Sequence, residues 1–463
     1  MSLKRLHQIF IAEEPTDGTA HSSLFTAGNG SYLVIDPTIE YDLPRFQRQI
    51  NRGSLTRLQG LSGIRTATMK FGLELTGTTA FGTVPQFGLP LRACGFRQEV
   101  VRKLTIGAIT NGPFRHGEAV SQATSSATGV VVADTYNGQT TLWIAQGGGL
   151  GTGTFNGTDV ITGASSTATA TASAYTANGG YGWWPQSYAL TAITFDATGL
   201  VDAISDGDLL KGTTSGARAQ AFGAFTAGAN KVVYVRMQSG HFSTGETMQN
   251  VTTADTNIGI LAAASFETQF QIPSLSMGIA KDGVRESMKF ARGTFSFSGV
   301  IGEPGRLDFE FKGGFGAVAD QGNVGSITYG QTVPPVLLDA DLALGHAADT
   351  FALEYVPCIA NIGFAMQNNI AYVKCMADAA GITNTHITER NPTGSFDPDL
   401  LPESVFSMLN DFLANTSYRA RFTVGSTLGN KFLITAPALS TTAAPSGDRD
   451  GISTRQIAFE LTG

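Results

Sequence analysis

Between Gly283 and Gly313 the chain reads GVRESMKFARGTFSFSGVIGEPGRLDFEFKG, and apolar and polar residues alternate on both sides of a break. Phe295 and Phe297 alternate with Thr294, Ser296 and Ser298; beyond Gly302 to Gly305, Leu307, Phe309 and Phe311 alternate with Asp308, Glu310 and Lys312. Side chains on a strand point alternately to opposite sides, so this period of two predicts a β-hairpin with an aromatic face and a wet face. Pro304 and Gly305 supply the turn backbone. The pattern recurs in GIRTATMKFGLELTG (Gly63 to Gly77), with Phe71, Leu73 and Leu75 opposite Lys70, Glu74 and Thr76. It returns in the final GISTRQIAFELTG, where Ile457, Phe459 and Leu461 alternate with Glu460. The shared starts Gly63-Ile64-Arg65 and Gly283-Val284-Arg285, each leading to Met-Lys-Phe, suggest two related β-domains, at 1–116 and 266–463.

Other elements follow from local signals. A strand is expected over Gly30 to Asp36. The polar stretch after it, holding Arg45, Arg48, Arg52 and Arg57, reads as a long exposed loop or arm. Pro90 opens a short helix carrying Leu89, Leu91, Ala93 and Phe96, and a strand covers Val100 to Ile106. Further strands are expected at Ala360 to Tyr372, Thr383 to Arg390, Ser417 to Val424 and Lys431 to Thr435. A helix is expected from Pro402 to Ala414, capped by Asp399, with Val405, Phe406, Leu409, Phe412 and Leu413 as its apolar stripe.

Residues 117–265 differ: they are almost uncharged and rich in Thr, Ala, Gly and Ser. Gly117-Glu118-Ala119-Val120 followed by a Thr/Ser turn matches Gly207-Asp208-Leu209-Leu210 followed by another, ninety residues on. Each copy continues to a short apolar strand, Leu142-Trp143-Ile144 or Val233-Tyr234-Val235, and then to GTFNGTDV or GHFSTGETM. Two copies predict two small β-modules, 117–174 and 207–265, rather than a solenoid. Trp183, Trp184 and Tyr188 lie between them, as aromatic packing or as a sugar-stacking patch.

Composition narrows the class. With 463 residues, 56 glycines, 42% hydrophobic and only 14% charged residues, the chain reads as turn-rich β-structure of several domains. The net charge of -7 is unevenly spread: residues 1–116 carry 13 Lys+Arg against 8 Asp+Glu, and residues 266–463 carry 13 against 20. An acidic chain is a poor duplex-DNA binder, though DNA could slide past it. Cys94, Cys358 and Cys375 form no CxxC pair and are expected as buried small hydrophobes. No signal-peptide h-region and no apolar run of membrane-spanning length is seen, so a soluble product is expected. The six histidines are scattered without metal-ligand spacing, and neither GxSxG nor GxxxxGK[ST] occurs. Asp448-Arg449-Asp450 reads as a local ion pair fixing a turn, and Asp397 and Asp399 as the turn leading into the helix. No catalytic residue, cofactor site or metal site is assigned, and a structural role is expected.

The hairpin Gly283 to Gly313, the segment GITNTHITER (Gly381 to Arg390) and the ending from Asn430, NKFLITAPALSTTAAPSGDRDGISTRQIAFELTG, together resemble the tail tube proteins of long-tailed bacteriophages. KFGLELTG followed by VPQFGLPLRACGF is similar to the first half of that family. The resemblance covers 266–463 well and 1–116 loosely, while 117–265 looks like modules found on phage surface proteins. It implies a mainly β fold: two tube domains, each a β-sandwich with a flanking helix whose larger sheet joins its neighbours in a barrel, plus an inserted pair of β-modules. It also implies trimeric pseudo-hexameric rings stacked around a tape-measure protein, terminator and tip partners, a virion location after synthesis in the host cytoplasm, and DNA passing through the lumen. On that view Asp308, Glu310, Glu74 and Glu460 face the lumen, and the arm of Arg45, Arg48, Arg52 and Arg57 reaches the next ring. The rival expectation is a phage surface adhesin or capsid decoration protein that binds a host glycan.

Overall fold

The computed structural model describes residues 7–461 except 16–18, 49–58, 79–82, 134, 136–138, 147–152, 186–190, 206, 222–224, 229–231, 240–241, 264–271, 331, 339, 347–354, 377, 379, 401, 405–406 and 428. The fold is mainly β. Two compact units divide it, one of residues 1–94, 98–183 and 273–463, the other of 95–97 and 184–272.

The amino-terminal part contributes β1 (His7–Glu13), β2 (Ile35–Asp42), the two-residue strands β3 (Arg45–Phe46) and β4 (Leu61–Ser62), β5 (Thr66–Glu74) and helix α1 (Gly88–Ala93). Six strands then form a closed barrel: β6 (Phe96–Ile106), β7 (Ala119–Gln122), β8 (Thr128–Val131), β9 (Thr141–Ala145), β10 (Val160–Gly163) and β11 (Thr169–Pro185). A second closed barrel follows: β12 (Thr191–Phe195), β13 (Leu209–Gly212), β14 (Arg218–Ala221), β15 (Val232–Ser239), β16 (Thr247–Asn250) and β17 (Asp255–Ala263). The long hairpin comes next, as β18 (Leu275–Lys281), β19 (Val284–Val300) and β20 (Arg306–Asp320). The rest is β21 (Asp341–His346), β22 (Ile359–Ala365), β23 (Asn368–Lys374), β24 (Ile382–Arg390), β25 (Thr393–Pro398), α2 (Met408–Leu413), β26 (Tyr418–Val424), β27 (Phe432–Ala443), β28 (Ser446–Arg449), β29 (Ile452–Arg455) and β30 (Ile457–Leu461).

Strands from both ends of the chain share one twelve-stranded antiparallel sheet, in the order β2-β5-β20-β19-β22-β25-β30-β27-β26-β21, with β18 and β1 attached beside β19. Strand for strand, its two halves are paired alike. In the first, β1 pairs with β18, β18 with β19, β19 with β20, β20 with β5 and β5 with β2. In the second, β21 pairs with β26, β26 with β27, β27 with β30, β30 with β25 and β25 with β22. The line between the halves therefore falls after β20, and the hairpin at 283–313 completes the first half instead of opening a domain at 266. The matching Gly-Ile-Arg and Gly-Val-Arg starts belong to β5 and β19 of the same half, which are not equivalent positions. Half-buried strands draw on few residue types, and that explains the likeness.

The alternation holds where it is clearest. Phe295, Phe297, Leu307, Phe309, Phe311, Phe71 and Leu73 are all buried on one face, and Phe71 stacks on Phe309 and Phe311 at centroid distances of 5.5 and 5.9 Å. Asp282 (φ 42) and Gly283 (φ 112) make the tight two-residue turn joining β18 to β19, the left-handed backbone that an Asp-Gly pair tolerates best. Elsewhere the elements shift. The strand expected over 30–36 forms at Ile35–Asp42, with a register shift between Ile35 and Thr38 where Pro37 lacks a backbone donor. The single strand expected from 360 to 372 is two, β22 and β23, parted at Gln367, whose φ is 47. The second helix is one short segment starting at Met408, with Ser407 rather than Asp399 at its N-cap position; Val405 and Phe406 lie outside the described residues, and Leu413 is exposed. Cys94 is buried as expected, but Cys358 is exposed and Cys375 half-buried.

The ninety-residue repeat corresponds to the two barrels, and their strand orders match. The first runs β10-β11-β6-β9-β8-β7 around its circumference, and the second runs the same way with each strand six places later in the chain. Each barrel also takes a strand ahead of the repeat seen in sequence, β6 or β12, so the first barrel starts at Phe96 and not at 117. Leu104 and Ile106 enter the first core with Leu142, Ile144, Phe155 and Ile161; Ile193 and Phe195 enter the second with Val233, Val235, Phe242 and Met248.

Acids at the strand starts explain the Ser/Thr-rich turns. Buried Glu118 accepts hydrogen bonds from the backbone N–H groups of Arg115, Ser165 and Ser166 and from both serine hydroxyls. Asp159 does the same for Thr124 and Ser125 on the other hairpin, so the two hairpins of the barrel cap each other. In the second barrel Glu246 accepts from the backbone of Ser243, Thr214 and Ser215 and from the Ser215 hydroxyl, and Asp208 from Ser205 N and Asn250 Nδ2. Burial works against the charged forms of Asp159 and Glu246, yet these hydrogen bonds outweigh it and lower both carboxyls below the usual range.

Candidate assembly surfaces

The face of the sheet opposite the phenylalanine core carries the charges. On β20, Asp308 and Glu310 point there, as expected from their alternation with Leu307, Phe309 and Phe311. They share the face with bases on neighbouring positions. Arg306 donates from Nε to Asp308 Oδ1 at 2.8 Å and its Nη2 lies 2.7 Å from the same oxygen. Lys70 Nζ is 3.2 Å from Glu310 Oε2, and Lys312 Nζ is 3.6 Å from Oε1. The face is therefore a mixed one: β5 places Lys70 directly opposite Glu310, and Arg306 and Lys312 sit two residues from Asp308 and Glu310 on β20 itself. Glu74, opposite Arg306, and Glu460 on β30 are both exposed. A shallow trough of about 360 Å³ runs along this face between Ile35, Lys70, Ser296, Asp308, Glu310 and Gln367.

The hairpin β23–β24 covers the neighbouring part of the same face. Arg292, buried on β19, donates to Asn384 Oδ1 and to the Thr385 carbonyl; Thr385 Oγ1 donates to the carbonyl of Phe290, where the register of β19 against β20 shifts. Asn368 Nδ2 donates to the carbonyls of Gly293 and Cys94, each at 2.8 Å. Burial raises the Tyr372 hydroxyl, helped by Asp42 and Glu310 and opposed by a hydrogen bond with Thr66. Burial likewise pushes the Cys94 thiol up, against the pull of nearby Arg390.

Along the sheet the two halves meet at one strand pairing, while elsewhere Phe87 packs on Phe432 at 5.9 Å and Gly77 N donates to Asn430 Oδ1. Strand β22 of the second half pairs with the end of β19 in the first, Ser296 facing Ala365 and Val300 facing Asn361. Behind it Phe297 packs on Phe364 and Phe422, with centroids 5.4 and 6.1 Å apart. The arm is the counterpart of the β23–β24 hairpin by chain order. Its stem, Arg45–Phe46 against Leu61–Ser62, stands exposed; Arg45 and Arg48 are exposed, while Arg52 and Arg57 lie outside the described residues.

Arg449 joins Asp397 and Asp399, so the ion pair spans two hairpins instead of closing a local turn; Asp450 (φ 52) and Gly451 (φ 85) make that turn themselves. Asp411 accepts from the Tyr418 hydroxyl at 2.6 Å and lies 2.9 Å from His346 Nε2, tying α2 to β26 and β21. Trp183 packs against Phe87 at 5.3 Å and Tyr181 at 6.5 Å, and Tyr188 lies outside the described residues. Among the described residues no group of three or more His, Cys, Asp or Glu is placed to hold a metal ion, and no helix is long and apolar enough to cross a membrane.

No protein-family model matches this chain, and no curated protein matches it either.

Proposed function

We propose that this chain is a structural subunit of the tail tube of a long-tailed bacteriophage, and that it works by polymerising rather than by catalysis. Three chains would close a pseudo-hexameric ring, rings would stack around a tape-measure protein between terminator and tip proteins, and DNA would pass through the lumen without specific binding. The observation that carries this reading is the pair of like-ordered halves fused edge to edge in one antiparallel sheet, in a chain whose end resembles the tail tube family. A sheet with open edges is a template for further pairing, and closing it in a ring removes those edges. In such a ring the wet face bearing Asp308, Glu310, Glu74 and Glu460 lines the channel. The basic arm carrying Arg45, Arg48, Arg52 and Arg57 meets the acidic surface of the next ring. Negative-stain microscopy of the purified protein tests this: tubes with an axial channel are expected, and a protein that stays monodisperse and small at high concentration overturns it.

A further inference from the structure

The like order of the halves leaves one joint used and one unused. Inside the chain, β22 occupies the side of β19 that β18 vacates beyond Ala291, and β23–β24 lies over β19 and β20. The counterpart of β22 is β2, and the counterpart of β19 is β27. Strand β2 is the end of the sheet, paired only with β5 among the described residues. Strand β27 loses β26 beyond Leu439 while continuing to Ala443, which leaves the same side open as on β19.

Exposure agrees with a missing occupant. In the hairpin that has a surface to lie on, Ile382 and Thr385 are fully buried. In its counterpart, Leu43, Phe46 and Leu61 are 48%, 69% and 55% exposed. A two-residue stem that displays two large apolar side chains, with Leu43 just ahead of it, has little packing of its own, and such a patch marks an interaction surface.

We propose that a second copy of this chain is the partner: β2 and the arm stem of one copy dock on the end of β27 and the β27–β30 face of the next. This repeats between chains the joint that β22 and β23–β24 make with β19 and β20 inside one. The proposal deepens the reading of the chain as an assembling subunit and rests on it.

The pairing fixes a register. Phe309-Glu310 on β20 corresponds to Phe459-Glu460 on β30; opposite these glutamates stand Thr294 on β19 and Ser440 on β27, and Lys70 on β5 and Thr393 on β25. Lys70 faces Thr38, and Thr393 faces Ala365. Ala365 faces Ser296, which stands opposite Asp308; the counterpart of Asp308 is Ala458, which faces Ala443 past a bulge at Thr442, so Thr38 of one copy comes opposite Ala443 of the next. Thr38 is exposed and Ala443 half-buried in the single chain. The contact is heterologous, so it propagates to a ring or a filament.

The test is oxidative cross-linking of full-length protein carrying Thr38→Cys with Ala443→Cys, in a background where Cys358 and Cys375 are Ser. Ser296→Cys with Ala365→Cys, which must close within one chain, serves as the geometric control. Cysteines directly opposite in an antiparallel pair come within disulfide reach. Expected is a ladder of disulfide-linked multimers from the first pair and monomeric closure from the second. Phe46→Asp with Leu61→Asp should raise the concentration needed for assembly at least tenfold, leaving the monomer's thermal unfolding unchanged because neither residue is buried there. Assemblies that form without the ladder and ignore the arm substitutions overturn this joint while leaving the tube reading standing. Wild-type protein that never assembles overturns both.

Discussion

Replacing Phe297 by alanine should separate the two halves of the sheet energetically. The side chain is 2% exposed and belongs to the first half, yet its ring packs on Phe364 and Phe422 of the second. The backbone around it cannot close in easily. A Cβ built on Gly305 would already lie 3.0 Å from the ring, and Gly299 is held between Leu337 and Ile362. A cavity of that kind persists, so the expected cost is about 3–5 kcal/mol, the range for large aromatic truncations in cores. All three tryptophans, at 143, 183 and 184, lie on strands of the first barrel. In a urea titration of the variant, tryptophan fluorescence should therefore keep its midpoint more nearly than far-ultraviolet circular dichroism, which reports the sheet. A double-mutant cycle with Phe364→Ala should return about 0.5–1.5 kcal/mol of coupling, as expected for an aromatic pair. A loss below about 1 kcal/mol, with both signals moving together, would refute the idea that this ring joins the halves.

Glu118→Ala removes the acceptor for three backbone N–H groups and two hydroxyls; with partial rescue by water it should cost the first barrel about 2–4 kcal/mol in a tryptophan-monitored melt. Because Asp159 and Glu246 have carboxyls lowered in the folded state, their contribution is present above the ordinary carboxyl pKa and is lost as pH falls through the lowered values. Thermal stability measured from pH 6 down to pH 2 should drop more steeply in the wild type than in Asp159→Asn with Glu246→Gln, and parallel profiles would count against it. Deleting 117–265 should leave β6 without its barrel partners and give aggregated protein in gel filtration, whereas deleting 96–272 and bridging with Gly/Ser should give a folded sheet domain. Asp308→Lys with Glu310→Lys sets new cations beside Arg306, Lys70 and Lys312. Exposed pairs are worth about 0.2–1 kcal/mol each, so tubes should still form while genome ejection slows; normal ejection would contradict a lumenal position.

Much of this was legible in the residues. Phe295, Phe297, Phe309 and Phe311 announce their strands because one face must be buried and the period of two has no other reading. The ninety-residue repeat is legible because each barrel needs an acid and a Ser/Thr turn at fixed places to satisfy buried backbone donors. What failed was assignment over distance. Strand β6 alternates just as a sheet strand would, so nothing local says that it belongs to a barrel. Arg449 sits between two aspartates in sequence but pairs with Asp397 and Asp399, roughly fifty residues away. Arg306 and Lys312 stand two residues from Asp308 and Glu310 on β20 itself, but the pairing of Lys70 with Glu310 depends on the register of β5 against β20, and register across more than two hundred residues is invisible to a window of ten. Nor did any local signal reveal that the halves repeat after β20, since the counterpart strands share order and hardly any sequence.

The pairing of β1 with β18 and of β5 with β20 also dictates a sequence of events during synthesis. Ile9, Phe10 and Ile11 are buried in the finished molecule, but their partner strand begins at Leu275. Until the ribosome has made that strand, a sticky amino-terminal segment and the Phe71 strand wait without their central neighbours. The barrels, whose pairings are all internal, can close during the wait. Contacts so distant form slowly, and exposed strands invite wrong partners in the interval. At a translation rate of about 5–20 residues per second the interval lasts on the order of ten seconds or more, long enough for a chaperone to hold the nascent chain. Slowing elongation through the barrel region should therefore lower the yield of soluble protein, the opposite of what is expected for a chain whose domains fold one after another.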